Sequence, residues 1–341
     1  MPAYRTGRAL LVAAAAASTF ELAAAQDIPL NYERLSSMEE PLAAELGDLT
    51  FTLTGLLDAP LAVDLRDGRS AEAGLVGNFQ AGALVQLQNR WRVSLAYFGQ
   101  YATDPRFGSR PDREYTDNAA LSVGGTWGTL LAGNVSGVVR EGTRRGRGAG
   151  NADLALDDTL GERAEWGGGY TGRFGPWVVG AVVDEDGKFD AGATFRRPID
   201  NTDYRLSARV GTAVFAPAGG ARNFDSTAAT VVGEAIYGST TFDLGVGYER
   251  LSARGPDAER WYASAGARGK LGALGWSAEA HHGRIEGEAG ISAALGARYD
   301  VARGLSANLG LNHAKASADL AGERLVDLDD TSLVVSLRYS F

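Results

Sequence analysis

The sequence predicts an all-β protein, a transmembrane antiparallel β-barrel of about 16 strands with a long third loop folded into the lumen. Three observations predict it. Apolar and polar residues alternate with period two from about Leu49 to Phe341. Many of the alternating segments run to about ten residues or more, where strands of globular proteins usually run about five or six. Short turns alternate with long polar loops, the connection pattern of outer-membrane barrels.

Composition bounds that reading. The 341 residues include 46 glycines, no cysteine and two methionines, with a formal net charge of −9. Glycine at roughly twice its usual share, without a G-X-Y period, excludes collagen. The absence of cysteine excludes a disulfide-stapled scaffold. With 45% apolar residues the chain is too hydrophobic for general disorder. An acidic chain lacks the basic face that neutralises phosphates, so nucleic acid is not an expected partner.

In chain order, residues 1–25 read as a signal peptide. Arg5 and Arg8 precede the apolar run Leu10 to Ala17, and Ala23-Ala24-Ala25 forms an A-x-A cleavage pattern before Gln26. That run is far shorter than the ~20 residues that span a bilayer. Residues 26–47 do not alternate. Ser36 and Glu39 have capping-box spacing with Pro41 close behind, and the segment is expected as an extension on the periplasmic side or in the barrel mouth. The barrel takes residues 48–341. No later window of ~18 apolar residues offers a transmembrane helix.

The strands are expected near 49–57, 72–88, 90–101, 114–125, 127–135, 162–172, 175–185, 188–197, 203–213, 226–238, 240–252, 259–270, 274–286, 288–300, 304–316 and 329–341. The last shows the pattern best. Leu333, Val335, Leu337, Tyr339 and Phe341 share one face; Ser332, Ser336, Arg338 and Ser340 share the other. Tight junctions at Thr126-Trp127 and Ser239-Thr240 alternate with loops near 58–71, 102–113, 136–161, 214–225, 253–258 and 317–328. Barrels of this strand number enclose water instead of a packed core. Inward-facing glycines such as Gly245, Gly266, Gly296 and Gly310 then leave room for water or for an inserted loop.

Loop 136–161 is the longest, and its length and place after the fifth strand predict inward folding. Arg140, Arg144, Arg145 and Arg147 lie in its first half with Glu141, and Asp153, Asp157 and Asp158 lie in its second. Such a polarised loop can set a transverse field across a narrow water path. These eight residues are the candidate constriction. A charge facing lipid costs about 2–4 kcal/mol near the midplane, so strand parity turns the charges inward: Arg90, Arg92, Arg196, Arg205, Arg209, Arg260, Arg268, Lys270, Arg298 and Arg338, with Glu72, Glu165, Asp243 and Glu249. Arg92, Arg205, Arg209, Arg268, Arg298 and Arg338 are the candidate lumen wall. Aromatics such as Trp91, Trp127, Trp177, Phe242, Trp261 and Tyr299 take the outward parity near strand ends, where interfacial girdles belong.

No catalytic or metal constellation is expected. The three histidines, His281, His282 and His313, form no H-E-x-x-H, and Ser136 stands in GNVSG instead of G-x-S-x-G. An outer-membrane lipase using one of the histidines and a serine is the remote alternative.

The signal peptide, the run DNAALSVGGTWGTLLAGN at 117–134, the following long loop ending NADLALDDTLG, and the terminal LVVSLRYSF together resemble a general diffusion porin of Gram-negative, alphaproteobacterial-type outer membranes. The resemblance implies a homotrimer of 16-stranded barrels in the lipid bilayer, each with its third loop in the lumen. It also implies that Leu337, Tyr339 and Phe341 are read by the outer-membrane assembly machinery. The inserted loop of such porins is usually acidic, and this one departs from that with four arginines. Loop calcium is a family possibility, at Asp157-Asp158 or Asp184-Glu185-Asp186; no other cofactor is expected. The function implied is passive diffusion of small hydrophilic solutes and ions. The alternative is an anion-preferring channel with a saturable site.

Overall fold

An amphipathic strand satisfies its backbone only beside another strand, and here the ladder of pairs runs round without a break. The computed structural model describes residues 42–66, 71–103, 114–217, 223–253, 257–320 and 323–341. The expected signal peptide and the Ser36–Glu39 pair lie outside them. In chain order come β1 (Leu42–Leu46), β2 (Leu49–Asp64), β3 (Ala71–Ala73), β4 (Leu75–Gln86), β5 (Arg92–Thr103), β6 (Glu114–Gly125) and β7 (Gly128–Asn134). A short helix, α1 (Val138–Thr143), follows. Then come β8 (Trp166–Phe174), β9 (Trp177–Asp184), β10 (Phe189–Ile199), β11 (Thr202–Phe215), β12 (Phe224–Tyr237) and β13 (Thr240–Ser252). The last five are β14 (Ala258–Leu271), β15 (Leu274–Ile285), β16 (Glu288–Ala302), β17 (Leu305–Leu320) and β18 (Glu323–Ser340).

All pair antiparallel in one sheet, and β18 returns to β2 from Ser332↔Asp64 to Ser340↔Leu56. β3 and β4 both pair with β2 and form one stave interrupted at Gly74, and β1 is a hairpin arm on β2. The result is a closed barrel of 16 staves. Closure leaves no edge, the condition for a sheet to cross lipid.

Parity is as expected. Leu244, Leu295 and Leu337 face outward and are each more than half exposed; in water this would be an aggregation surface, and in a bilayer it is the lipid belt. On the turn side Trp91, Trp127 and Tyr170 form an aromatic chain with ring centroids 6.0 and 6.4 Å apart. Inward, Ser94 and Ser122 hydroxyls meet at 2.7 Å, and Thr194 and Ser207 at 2.9 Å.

The corrections fall at element ends. β2 continues to Asp64, past the expected end at residue 57. Pro60 lacks an N–H, but its carbonyl accepts from Gly74 N–H at 2.8 Å, and the irregularity sits in the partner stave. The expected loop 317–328 is largely strand: β17 and β18 extend over the rim, with a register shift at Ala318/Asp319. Ala316, Ala318, Leu325 and Val326 pack there. Within the expected extension 26–47, residues 42–46 are a strand, too short to show a period. Arg90 is in a turn with φ 65°, and Glu165 precedes β8 in the loop, so neither is a strand residue facing the lumen.

Candidate functional site: the lumen and its inserted loop

The loop between β7 and β8 enters the barrel through an apolar seat. Val138 and Val139 of α1 pack with Val135, Leu131 and Val182 on the inner wall. At the neck, Val135 N–H donates to Glu165 O at 2.8 Å. The helix end is read by the wall: Arg205 donates to the carbonyls of Gly142 at 2.9 Å and Arg144 at 3.1 Å, and Thr194 Oγ1 donates to Gly142 O at 3.0 Å. Cations at the carbonyl end of a helix complement its dipole.

From there the loop runs along the inner wall. Ala149 N–H donates to Ser277 Oγ at 2.8 Å, Asn151 Nδ2 donates to Ser336 Oγ at 3.1 Å, and Asp153 N–H donates to Asn312 Oδ1 at 2.9 Å. This path explains the inward glycines. A Cβ at Gly296 or Gly310 would collide with the backbone of Ala149 or Asn151, and one at Gly245 or Gly266 with the Arg145 side chain. The return limb is held by Glu249, which accepts from Leu160 N–H at 2.8 Å, Gly161 N–H at 3.0 Å, Ser226 Oγ at 2.6 Å and Arg260 Nη1 at 3.1 Å. Leu156 and Leu160 pack against the rim cluster around Phe224, Leu251 and Ile285.

Most of the named arginines are engaged in this fastening. Arg145 is buried and pairs with Asp243, with Glu279 at 3.5 Å and with Asp157 at 3.6 Å. Arg268 bridges Glu234 and Asp243, 3.0 Å from each, and Arg205 reaches Glu234 at 2.9 Å. Arg140 and Arg209 both hold Asp158. Arg144 pairs with Glu141 at 2.7 Å, Arg298 with Asp300 at 2.8 Å, and Arg338 with Asp58 at 2.8 Å. Arg147 lies beside Arg268, Arg298 and Arg338 on the turn side, and Asp153 is exposed. Arg92 has inward parity at the turn end of β5. Glu234, Glu279, Asp190 and Asp58 complete the pairs. Parity alone would have turned Glu234, Glu279 and Asp190 inward, but not toward a particular arginine, and Asp58 falls in the expected loop 58–71.

Electrostatics divides the two adjacent loop acids. Burial opposes ionisation of Asp158, but Arg140 and Arg209 outweigh it and hold its carboxyl well below the usual range. Burial, reinforced by Asp158, pushes Asp157 up to about 6 against Arg145 and Arg144. Burial likewise lowers Arg144 against the attraction of Glu141. As for calcium, Asp158 is occupied by two guanidinium groups. Asp184 accepts from the N–H groups of Ala164 and Asp186 at 3.0 Å and of Lys188 at 2.8 Å.

At the seam, Leu337 and Tyr339 face outward and exposed. Phe341 lays its ring over Gly55 and exchanges backbone bonds with it at 2.9 and 3.0 Å.

No protein-family model matches the chain, and no curated protein matches it in sequence. Solved structures do match in shape. OmpT, an outer membrane protein of Vibrio cholerae in trimer form, superposes with a TM-score of 0.64 at 12% identity, over 86% of this chain and 99% of that one. The anion-selective porin from Comamonas acidovorans gives 0.63 at 15% identity, over 86% and 100%. A triple mutant of Rhodopseudomonas blastica porin gives 0.53 at 13% identity, over 85% and 100%. With its closed 16-stave ring, lipid-facing belt and inserted loop, the chain has the fold of Gram-negative outer-membrane porins, and a barrel with that belt is a protein of the outer membrane.

Proposed function

We propose that the protein is a passive diffusion channel for small hydrophilic solutes and ions, constricted by loop 136–161. The observation that carries this reading is the charged loop fastened inside a closed barrel whose outer face is apolar. A packed core has no use for such a loop, whereas a water-filled lumen is narrowed by it. The inner faces of β4–β6 carry the small polar residues Asn78, Ser94, Asn118 and Ser122. Reconstitution into planar bilayers tests it. Stepwise, ohmic conductance that scales with salt is expected, and a folded barrel that never conducts sinks the reading.

A second reading, an anion-preferring channel with a saturable site, is supported by the arginine-rich lumen and by the shape shared with an anion-selective porin. Assembly as a homotrimer is supported by the trimeric neighbour and by one outward feature. Asp117 faces away from the lumen, and its carboxylate accepts from Tyr97 Oη at 2.7 Å while Tyr97 and Tyr115 hydroxyls meet at 2.9 Å. A carboxylate at that face is better covered by protein than by lipid. Leu337, Tyr339 and Phe341 are the residues offered to the assembly machinery.

We read the protein as a channel and not as an enzyme. Ser264 Oγ and His281 Nδ1 lie 2.9 Å apart, but both are buried. Among the described residues no carboxylate hydrogen-bonds to the other ring nitrogen, so the orienting third member of a hydrolase triad is missing.

A further inference from the structure

On the turn side of the inserted loop lies a cavity of about 360 Å³. Five cationic side chains border it: Arg147 from the loop, Arg268 and Lys270 from β14, Arg298 from β16 and Arg338 from β18. Among the described residues Asp300 is the one acid on its lining. Lys270 Nζ and Arg298 Nε reach the two oxygens of that same carboxylate at 2.9 and 2.8 Å, so two cations share one countercharge. Arg268 and Arg338 are held from behind by carboxylates that are themselves buried, Glu234 and Asp243 for the first and Asp58 for the second. Those acids fix the guanidinium groups in place without entering the cavity. Gly148, Ala149 and Gly150 of the loop also line it.

We infer that this vestibule is a binding site for small oxyanions carrying two or more negative charges, entered from the periplasmic turns. Guanidinium and ammonium groups fixed around a water-accessible space of this size match phosphate or carboxylate oxygens. A divalent guest would supply the countercharge that Asp300 divides between two partners. The inference rests on the channel reading only for its physiological meaning. It also moves the site away from Arg140 and Arg145, whose charges are spent on fastening the loop.

Inorganic pyrophosphate is the probe, used with the full protein in two measurements. One is calorimetric titration in detergent, and the other is block of open-channel current in a bilayer with the anion on either side. Saturable binding is expected, with block stronger from the turn side. Replacing both Lys270→Gln and Arg298→Gln should weaken the binding constant and the fractional block of the variant's own current by about a hundredfold, the loss of two charge-assisted contacts. Asp300→Asn should tighten both, which a variant that merely misfolds cannot do. Conducting channels with no heat and no block, or binding indifferent to both variants, would overturn the site. Binding by a folded barrel that never conducts would overturn the channel reading and leave the site standing.

Discussion

At the scale of single residues, Asp157 and Asp158 show how neighbours decide charge. Asp158 is locked ionised between two guanidinium groups, while the half-buried Asp157 titrates near neutrality, at about 6. Protonating it removes a negative charge from the loop, so anion preference should rise as pH falls from 7.5 to 5. The reversal potential in a salt gradient reports this, and Asp157→Asn should hold the low-pH value throughout. A variant that still titrates would assign the transition elsewhere. Parity made Arg205, Arg209, Arg268, Arg298 and Arg338 readable as inward side chains. Their partners were not readable, because Arg145 meets Asp243 and Glu279 across 98 and 134 residues and such pairings depend on barrel register.

At the scale of elements, the loop is best understood as a limb with separate anchors. The α1 seat is apolar, the middle is hydrogen-bonded to β15–β18, and the return limb depends on Glu249 and Arg260, two of the most completely buried side chains. Glu249→Ala leaves the Arg260 charge unpaired and removes the acceptor for two loop N–H groups. A loss of about 3–5 kcal/mol is expected in denaturant unfolding. Replacing both, Glu249→Met with Arg260→Met, should recover much of that loss, since buried pairs are often replaceable by apolar residues of similar volume. A double variant as unstable as the single one would show that the backbone contacts dominate. The strands were legible because each long amphipathic run repeats one period. The six-residue helix was not, because Val138–Thr143 spans fewer than two turns and shows no periodicity.

At the scale of the whole molecule, the lipid belt and the Tyr97–Tyr115–Asp117 cluster distinguish faces that share a parity. If that cluster meets a second copy, Asp117→Leu should lower the temperature at which the oligomer dissociates in detergent. A dissociation temperature that is unchanged or raised would show that the residue faces lipid, where removing a carboxylate is favourable by up to roughly 2 kcal/mol. The overall architecture was readable in advance because a ring of consecutive hairpins needs only strand count and parity. Its ends were not, since the rim extension of β17 and β18 comes from tertiary packing of small residues.

The joint between β18 and β2 sets the order of events in assembly. Every other stave pairs with its neighbour in sequence across a turn or a single loop, whereas Arg338 and Asp58 meet across 280 residues. Hairpins can therefore form locally and early, while this joint must wait for a closure whose entropic cost grows with the intervening chain. Until it forms, the curled sheet presents two unpaired margins. The meeting of those margins is therefore the expected slow step of barrel formation, and the interval before it is the one in which the chain should be most open to misassociation.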